Sequence, residues 1–165
     1  MSQDIVVNRG LDLKLVGQPQ REIIIPKHTQ DFSVYPSDFH GVFPKLVIKE
    51  NDKVKAGDVL FFDKNSEKVK FVSPVSGTVN QIVRGERRKV LEIKIKADKT
   101  IAYKKLKNLK IDNSSKIIDF LLENGLWTFI KQRPYDIVAD PNSSPKEIFI
   151  SGFDSSPLSA DYDFI

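Results

Sequence analysis

The stretch from Phe43 to Val83 reads FPKLVIKENDKVKAGDVLFFDKNSEKVKFVSPVSGTVNQIV, and its punctuation decides the fold. Glu50-Asn51-Asp52, Ala56-Gly57-Asp58 and Ser73-Pro74-Val75-Ser76-Gly77 interrupt short runs rich in Val, Ile and Phe. Glycine supplies the positive φ that tight turns demand, and Asn and Asp tolerate it. Gly57 and Gly77 are accordingly both expected in turns with positive φ. Apolar runs of four to six residues between such breakers are strands, because they are too short for stable helices. A weak repeat at an offset of 34 places Ile48, Asn51 and Asp52 on Ile82, Gly85 and Glu86. Two similar halves, each with an incomplete apolar face, bury those faces against one another as a small sandwich.

Outward from this stretch the pattern stays β-rich before it changes. Glu22-Ile23-Ile24-Ile25 before Pro26 is expected as a short buried strand, since proline ends a ladder. Phe32, Val34 and Tyr35 give another, closed by Pro36, and Ile5 to Val16 a half-buried strand or an extended lead-in. Lys89 to Lys96 alternates Leu91, Ile93 and Ile95 with charged residues, as a strand with one wet face does. The first domain is expected to close there, at about residues 1–100. Ala97 to Asn113 is polar and lysine-rich, a junction. Ser114-Ser115 then precede a stripe of Ile117, Ile118, Leu121 and Leu122 that ends at Asn124-Gly125. Hydroxyls at the start, one apolar face and a terminal glycine define a helix. Leu126 to Ile130 continues as a further turn. Lys146 to Gly152 reads as the first strand of an α/β unit. Residues 101–165 are thus the first part of an α/β domain, and a lone strand without partners suggests truncation.

Composition narrows the chemistry. The chain has 165 residues, net charge +4 and no cysteine, which removes disulfides, thiol nucleophiles and cysteine-held metals or clusters from these residues. Seven lysines lie between Lys94 and Lys110 with only Tyr103 among them, the composition of a solvated face and not of a nucleic-acid groove. No apolar run approaches the length of a membrane-spanning helix, so membrane association is expected through partners. His28 and His40 have no second histidine at metal-binding spacing, and Asp52, Asp58 and Asp63 are not spaced as a calcium loop. Ser76 lacks the flanking glycine of a nucleophile elbow, and Gly152 stands alone rather than in a dinucleotide or Walker loop. A free-standing enzyme has no acid–base or nucleophile constellation here.

Two resemblances sharpen this outline. Asn51-Asp52-x-Val54-x-Ala56-Gly57-Asp58-x-Leu60, followed by Pro74-x-x-Gly77-Thr78-Val79, resembles the biotinyl/lipoyl barrel-sandwich fold. That family carries its cofactor on a hairpin lysine flanked by methionines. Here Lys64 and Lys68 are the covalent-cofactor candidates, without a Met-Lys-Met.

The second resemblance covers the whole length. Arg9-Gly-Leu-Asp-Leu, the Val54-to-Lys64 segment, Ser73-Pro-Val-Ser-Gly-Thr-Val, Arg84-Gly-Glu-Arg-Arg, Gly125-Leu-Trp-Thr, Arg133-Pro-Tyr and Phe153-Asp-Ser-Ser-Pro-Leu-Ser-Ala-Asp occur in order. In these the chain is similar to the N-terminal part of the A-subunit of sodium-translocating NADH:quinone oxidoreductases. The resemblance implies a β-rich barrel-sandwich hybrid followed by the start of an α/β domain, α+β overall. It implies a peripheral subunit on the cytoplasmic face of the bacterial inner membrane. Quinone would be the substrate of the complex, with NADH and flavins handled by other subunits and no cofactor bound by this stretch. Within it, Trp127, Phe129, Arg133 and Tyr135 gather around Lys131 and Gln132. A quinone head group is a flat ring with two carbonyl acceptors, which aromatic walls and a cationic donor suit. The same residues also fit a packed interface, with Arg133 paired to a carboxylate.

Overall fold

The computed structural model describes residues 16–17, 20–25, 29–106 and 113–152. The chain divides into two compact units, His28–Ser144 and a second made of Met1–Lys27 with Pro145–Ile165. In the first unit, β1 (Asp31–Val34), β7 (Val90–Ala97), β6 (Gly77–Arg84) and β3 (Lys53–Val54) form an antiparallel sheet in that order. A second sheet orders β2 (Pro44–Leu46), β4 (Val59–Asp63) and β5 (Ser66–Val72). Their inner faces make one core, with Val54, Val79, Ile93, Ile95 and Ala97 from the first sheet meeting Leu60, Phe61, Val69 and Phe71 from the second. Phe61 and Phe71, paired across β4 and β5, stack with ring centroids 4.6 Å apart, and Phe39 meets Phe71 edge-on at 4.5 Å. Burying each such side chain contributes roughly 1.5–3 kcal/mol.

The turns that shape this sandwich share one local design. In Lys49–Asp52 the Asp52 carboxylate accepts the Lys49 N–H at 2.7 Å, and in Lys55–Asp58 the Asp58 carboxylate accepts the Lys55 N–H at 2.7 Å. The third residue is left-handed in both, Asn51 at φ 71° and Gly57 at φ 94°. The same turn design thus recurs six residues on. Asp63 closes the β4–β5 hairpin, its Oδ1 accepting from the N–H groups of Phe43 and Asn65 at 3.1 Å each. All three aspartates are turn formers.

Gly77 is a correction. Its φ is not positive; it is glycine because β7 passes against it. A Cβ there would lie 2.1 Å from the Lys96 carbonyl oxygen and 2.8 Å from the Ala97 Cα. Leu91 also departs from the alternation expected of it. The β6–β7 register shifts between Val83↔Glu92 and Arg84↔Val90, so β7 carries one extra residue there. That bulge turns Val90 inward and leaves Leu91 exposed.

Beyond β7 the chain stays on the sandwich. Ser76, 1% exposed, donates to Asp98 and accepts the Ala102 N–H, both at 2.9 Å. Ala56 and Tyr103 form a parallel bridge, with the Ala56 N–H reaching Ala102 O at 3.0 Å and the Lys104 N–H reaching Ala56 O at 2.8 Å. The helix α1 (Ser114–Glu123) is capped by Asn113, whose side chain accepts the Ser115 N–H at 2.9 Å; the serines expected to cap it are its first two residues. It packs on β5 through Leu122. Gly125 ends it in the left-handed conformation at φ 72°, where a Cβ would also strike Val72.

Two expected strands are absent. Glu22–Ile25 and Lys146–Gly152, in the second unit, carry no strand, and Ile23, Ile24, Ile25, Ile148, Phe149 and Ile150 are exposed. The β pattern is present, but among the described residues no strand pairs with either segment. The lead-in expected at Ile5 to Val16 and His28 lie outside the described residues, Val16 excepted.

Candidate functional site

The residues after α1 are positioned by one buried indole. Leu126–Phe129 form a 3-10 turn, then Lys131–Gln132 (β8) and Ile137–Val138 (β9) pair as a short antiparallel hairpin. The Trp127 ring belongs to the core beside Leu122, and its Nε1–H donates to Ala139 O at 2.7 Å. The Ala139 N–H in turn donates to Ile130 O at 2.9 Å, so both ends of the hairpin are tied to the turn that carries the tryptophan. Thr128 is buried with its hydroxyl on Gly125 O at 2.9 Å. Among the described residues no buried side-chain polar atom lacks a hydrogen-bond partner.

Trp127 is therefore a packing and anchoring residue, while the other three candidates face solvent. Phe129 is 81% exposed and Tyr135 69%. Arg133 has a 78% exposed side chain and meets Asp136 Oδ1 at 3.5 Å, a long surface pair of small energy. The four-residue turn Arg133–Asp136 holds Arg133 and Tyr135 together between β8 and β9. The site gains neighbours that the sequence does not suggest. Lys131 Nζ lies 5.5 Å from the centre of the Phe39 ring, and Ile137 Cγ2 lies 3.9 Å from where a Gly41 Cβ would sit. The loop after β1 thus lines the base of the hairpin. Nothing in residues almost a hundred positions apart signals this contact.

The covalent-cofactor candidates separate. Lys64 and Asn65 form the two-residue turn between β4 and β5, with Lys64 exposed and its N–H on Phe43 O at 2.9 Å. Lys68 lies within β5, exposed beside α1, where Glu67, Lys68, Lys70, Asp119, Leu122 and Glu123 line an open depression of about 300 Å³. Its mixed charges and wide mouth do not enclose a ligand. His40 is exposed in the turn after the 3-10 residues Pro36–Asp38. No group of three or more His, Cys, Asp or Glu side chains is placed to hold a metal among the described residues. No described helix is long and apolar enough to cross a membrane.

One carboxylate has a distinct environment. Glu92 on β7 accepts from the Ser33 hydroxyl at 2.7 Å and the Tyr35 hydroxyl at 3.0 Å, with Lys94 Nζ at 3.7 Å. The Ser33 hydrogen bond above all, helped by Tyr35 and Lys94, holds its pKa below the ordinary glutamate value. This group ties the edge strand β1 to β7.

Known proteins match this architecture in the same order. Residues 5–98 match the NqrA N-terminal barrel-sandwich hybrid domain, and residues 112–165 match the NqrA second alpha/beta domain. The chain is 38% identical to the A-subunit of the Na(+)-translocating NADH-quinone reductase of Marinomonas sp. (strain MWYL1), over 93% of this chain and 36% of that protein. It is 38% identical to the corresponding protein of Saccharophagus degradans and 36% to one of Pseudomonas aeruginosa, over 95% of this chain and 36% of each relative. The chain spans about a third of the length of the curated relatives it matches. By the matched family domain and by the two-sheet sandwich within it, the chain belongs to the NqrA family.

Proposed function

We propose that this chain forms part of a peripheral subunit of a bacterial sodium-translocating NADH:quinone reductase, at the cytoplasmic face of the inner membrane. In this reading the sandwich is scaffold, and the β8–β9 hairpin presents a surface to quinone. Other subunits are the partners and handle NADH and flavin. The observation that carries the quinone reading is the division of labour after α1. Trp127 is committed to the core, while Phe129 on the same 3-10 turn, and Arg133 and Tyr135 on the hairpin that the indole anchors, remain exposed. An anchored turn holds a cation and aromatic faces in place at low entropic cost, as binding a flat ring with carbonyl acceptors requires. A photoreactive azidoquinone added to the whole complex should label the peptide from Leu126 to Val138. Labelling confined to other subunits defeats the assignment.

A carrier role is the second reading, favoured by the exposed position of Lys64 at a two-residue hairpin tip. Intact mass decides it. A covalent cofactor adds a fixed increment, and an unmodified mass after production beside biotin and lipoate ligases removes the carrier reading.

A further inference from the structure

The hairpin joining β6 to β7 is built against the preference of its own backbone. The Lys89 N–H donates to Glu86 O at 3.1 Å, and the Gly85 N–H donates to Lys89 O at 2.8 Å. Between them Arg87 has φ 53° and ψ 29°, and Arg88 has φ 61°. A four-residue hairpin turn with two positive φ values in its centre is of type I′, whose central positions favour Asn-Gly. A side chain with a Cβ crowds the carbonyl oxygen in this conformation, and here two successive arginines bear that strain.

Folding offers no return for the choice. Arg84, Glu86, Arg87, Arg88 and Lys89 are all exposed, and among the described residues none of them joins an ion pair. The Arg84 guanidinium donates to Arg88 O at 3.3 Å, which fixes the turn further without neutralising it. Leu91, left exposed by the bulge in β7, covers Gly85, whose Cβ position is 3.0 Å from Leu91 Cδ1. The tip thus presents four cations, one carboxylate and an apolar rim on a braced backbone.

We propose that this Arg87-Arg88 turn is a docking element for a carboxylate-bearing surface of another protein in the same assembly. The proposal rests on the reading of the chain as part of a multisubunit complex. Anionic lipid is the poorer fit. Its attraction is diffuse and is met equally well by a flexible lysine loop, with no need for strain or fixed geometry. Two guanidinium groups on a braced turn suit paired carboxylates, because the planar fork makes two parallel hydrogen bonds and rewards a fixed separation. Strain in the free chain is then the cost of placing arginine, rather than asparagine or glycine, where the partner meets it.

The test uses the chain carrying an affinity tag at its own locus, with co-purifying reductase subunits measured by mass spectrometry. The Arg87→Asn/Arg88→Asn pair should raise Tm by a few degrees, since asparagine tolerates positive φ, while recovery of the other subunits falls by about tenfold or more. The Arg87→Lys/Arg88→Lys pair keeps the charge, loses the fork and should restore recovery only in part. Recovery by the Asn pair equal to wild type overturns the proposal, as does full recovery by the Lys pair. Sedimentation with vesicles of equal parts phosphatidylglycerol and phosphatidylcholine should be the same for wild type and the Asn pair; binding lost only in the Asn pair makes lipid the occupant and overturns it too. Wild-type chain that recovers none of the other reductase subunits defeats the complex reading itself, a failure distinct from an indifferent Asn pair.

Discussion

Gly77→Ala is the sharpest structural perturbation, because it adds one methyl group where only backbone stands in the way. The new Cβ would lie 2.1 Å from Lys96 O and 2.8 Å from both Lys96 C and Ala97 Cα. That is roughly 1 Å inside the closest approach of a methyl carbon to an oxygen, and no rotamer change relieves a backbone clash. The end of the β6–β7 ladder, where Gly77 pairs with Ala97 and Thr78 with Lys96, must open. Losing one or two ladder hydrogen bonds costs about 1 kcal/mol each. Local overpacking of the core adds about 1–3 kcal/mol. The expected loss is therefore about 2–5 kcal/mol. Gly57→Ala is the control: its φ of 94° is strained for alanine, but its new Cβ meets only Lys104, whose Cβ at 3.3 Å must give by a few tenths of an ångström. Its cost should be about 1–2 kcal/mol, and Gly57→Asn should cost less. Urea unfolding with unchanged m-values gives both numbers. A Gly77→Ala penalty below about 0.5 kcal/mol, or one smaller than that of Gly57→Ala, refutes the reasoning.

Three further outcomes follow from particular contacts. Trp127→Phe keeps an aromatic ring but removes the pyrrole N–H and its hydrogen bond to Ala139 O, and should cost about 1–3 kcal/mol and speed amide exchange across Lys131 to Val138; unchanged exchange there would show that the indole does not anchor the hairpin. Glu92 has a lowered pKa in the folded chain, so its charge stabilises the fold above the ordinary glutamate range, and that contribution disappears as pH falls through the folded value. Glu92→Gln should therefore be less stable than wild type at neutral pH, with the gap closing in acid; a pH-independent gap contradicts this. Residues 1–100 contain both sheets and should give a dispersed amide spectrum alone, melting below the full chain because Leu122 and Trp127 are missing from the core. A collapsed spectrum from that fragment would place the domain boundary elsewhere.

The turns are the legible part of the fold. Lys55-Ala56-Gly57-Asp58 announces a left-handed third residue and a closing carboxylate, and both are present. Gly77 is recognisable as obligatory, but the cause is the approach of β7, a long-range contact that no local pattern encodes. Leu91 escapes the pattern for a related reason. Alternation assumes an unbroken register, and a bulge is set by the partner strand. The triplets at Ile23–Ile25 and Ile148–Ile150 have strand composition without a strand, because backbone pairing needs a neighbour and composition supplies none.

The candidate site is half legible. Trp127 and Phe129 look alike in sequence, yet a 3-10 turn advances about 120° per residue, so residues two apart point to different sides. One enters the core and the other stays in solvent, and only the fold decides which. The paired arginines at the β6–β7 tip are visible as residues, but their strain is a backbone property that arises with the hairpin.

The most direct measurement is the quinone KM of the whole complex carrying Arg133→Ala. Arg133 is exposed and pairs only loosely with Asp136, so the substitution should leave the stability of the chain within about 0.5 kcal/mol of wild type. If its guanidinium donates to a quinone carbonyl, losing a hydrogen bond from a charged group worth about 1.5–3 kcal/mol should raise KM by roughly 10- to 150-fold. Oxidation of NADH with an artificial acceptor should stay unchanged. A quinone KM equal to wild type would contradict the assignment of this hairpin to the quinone surface.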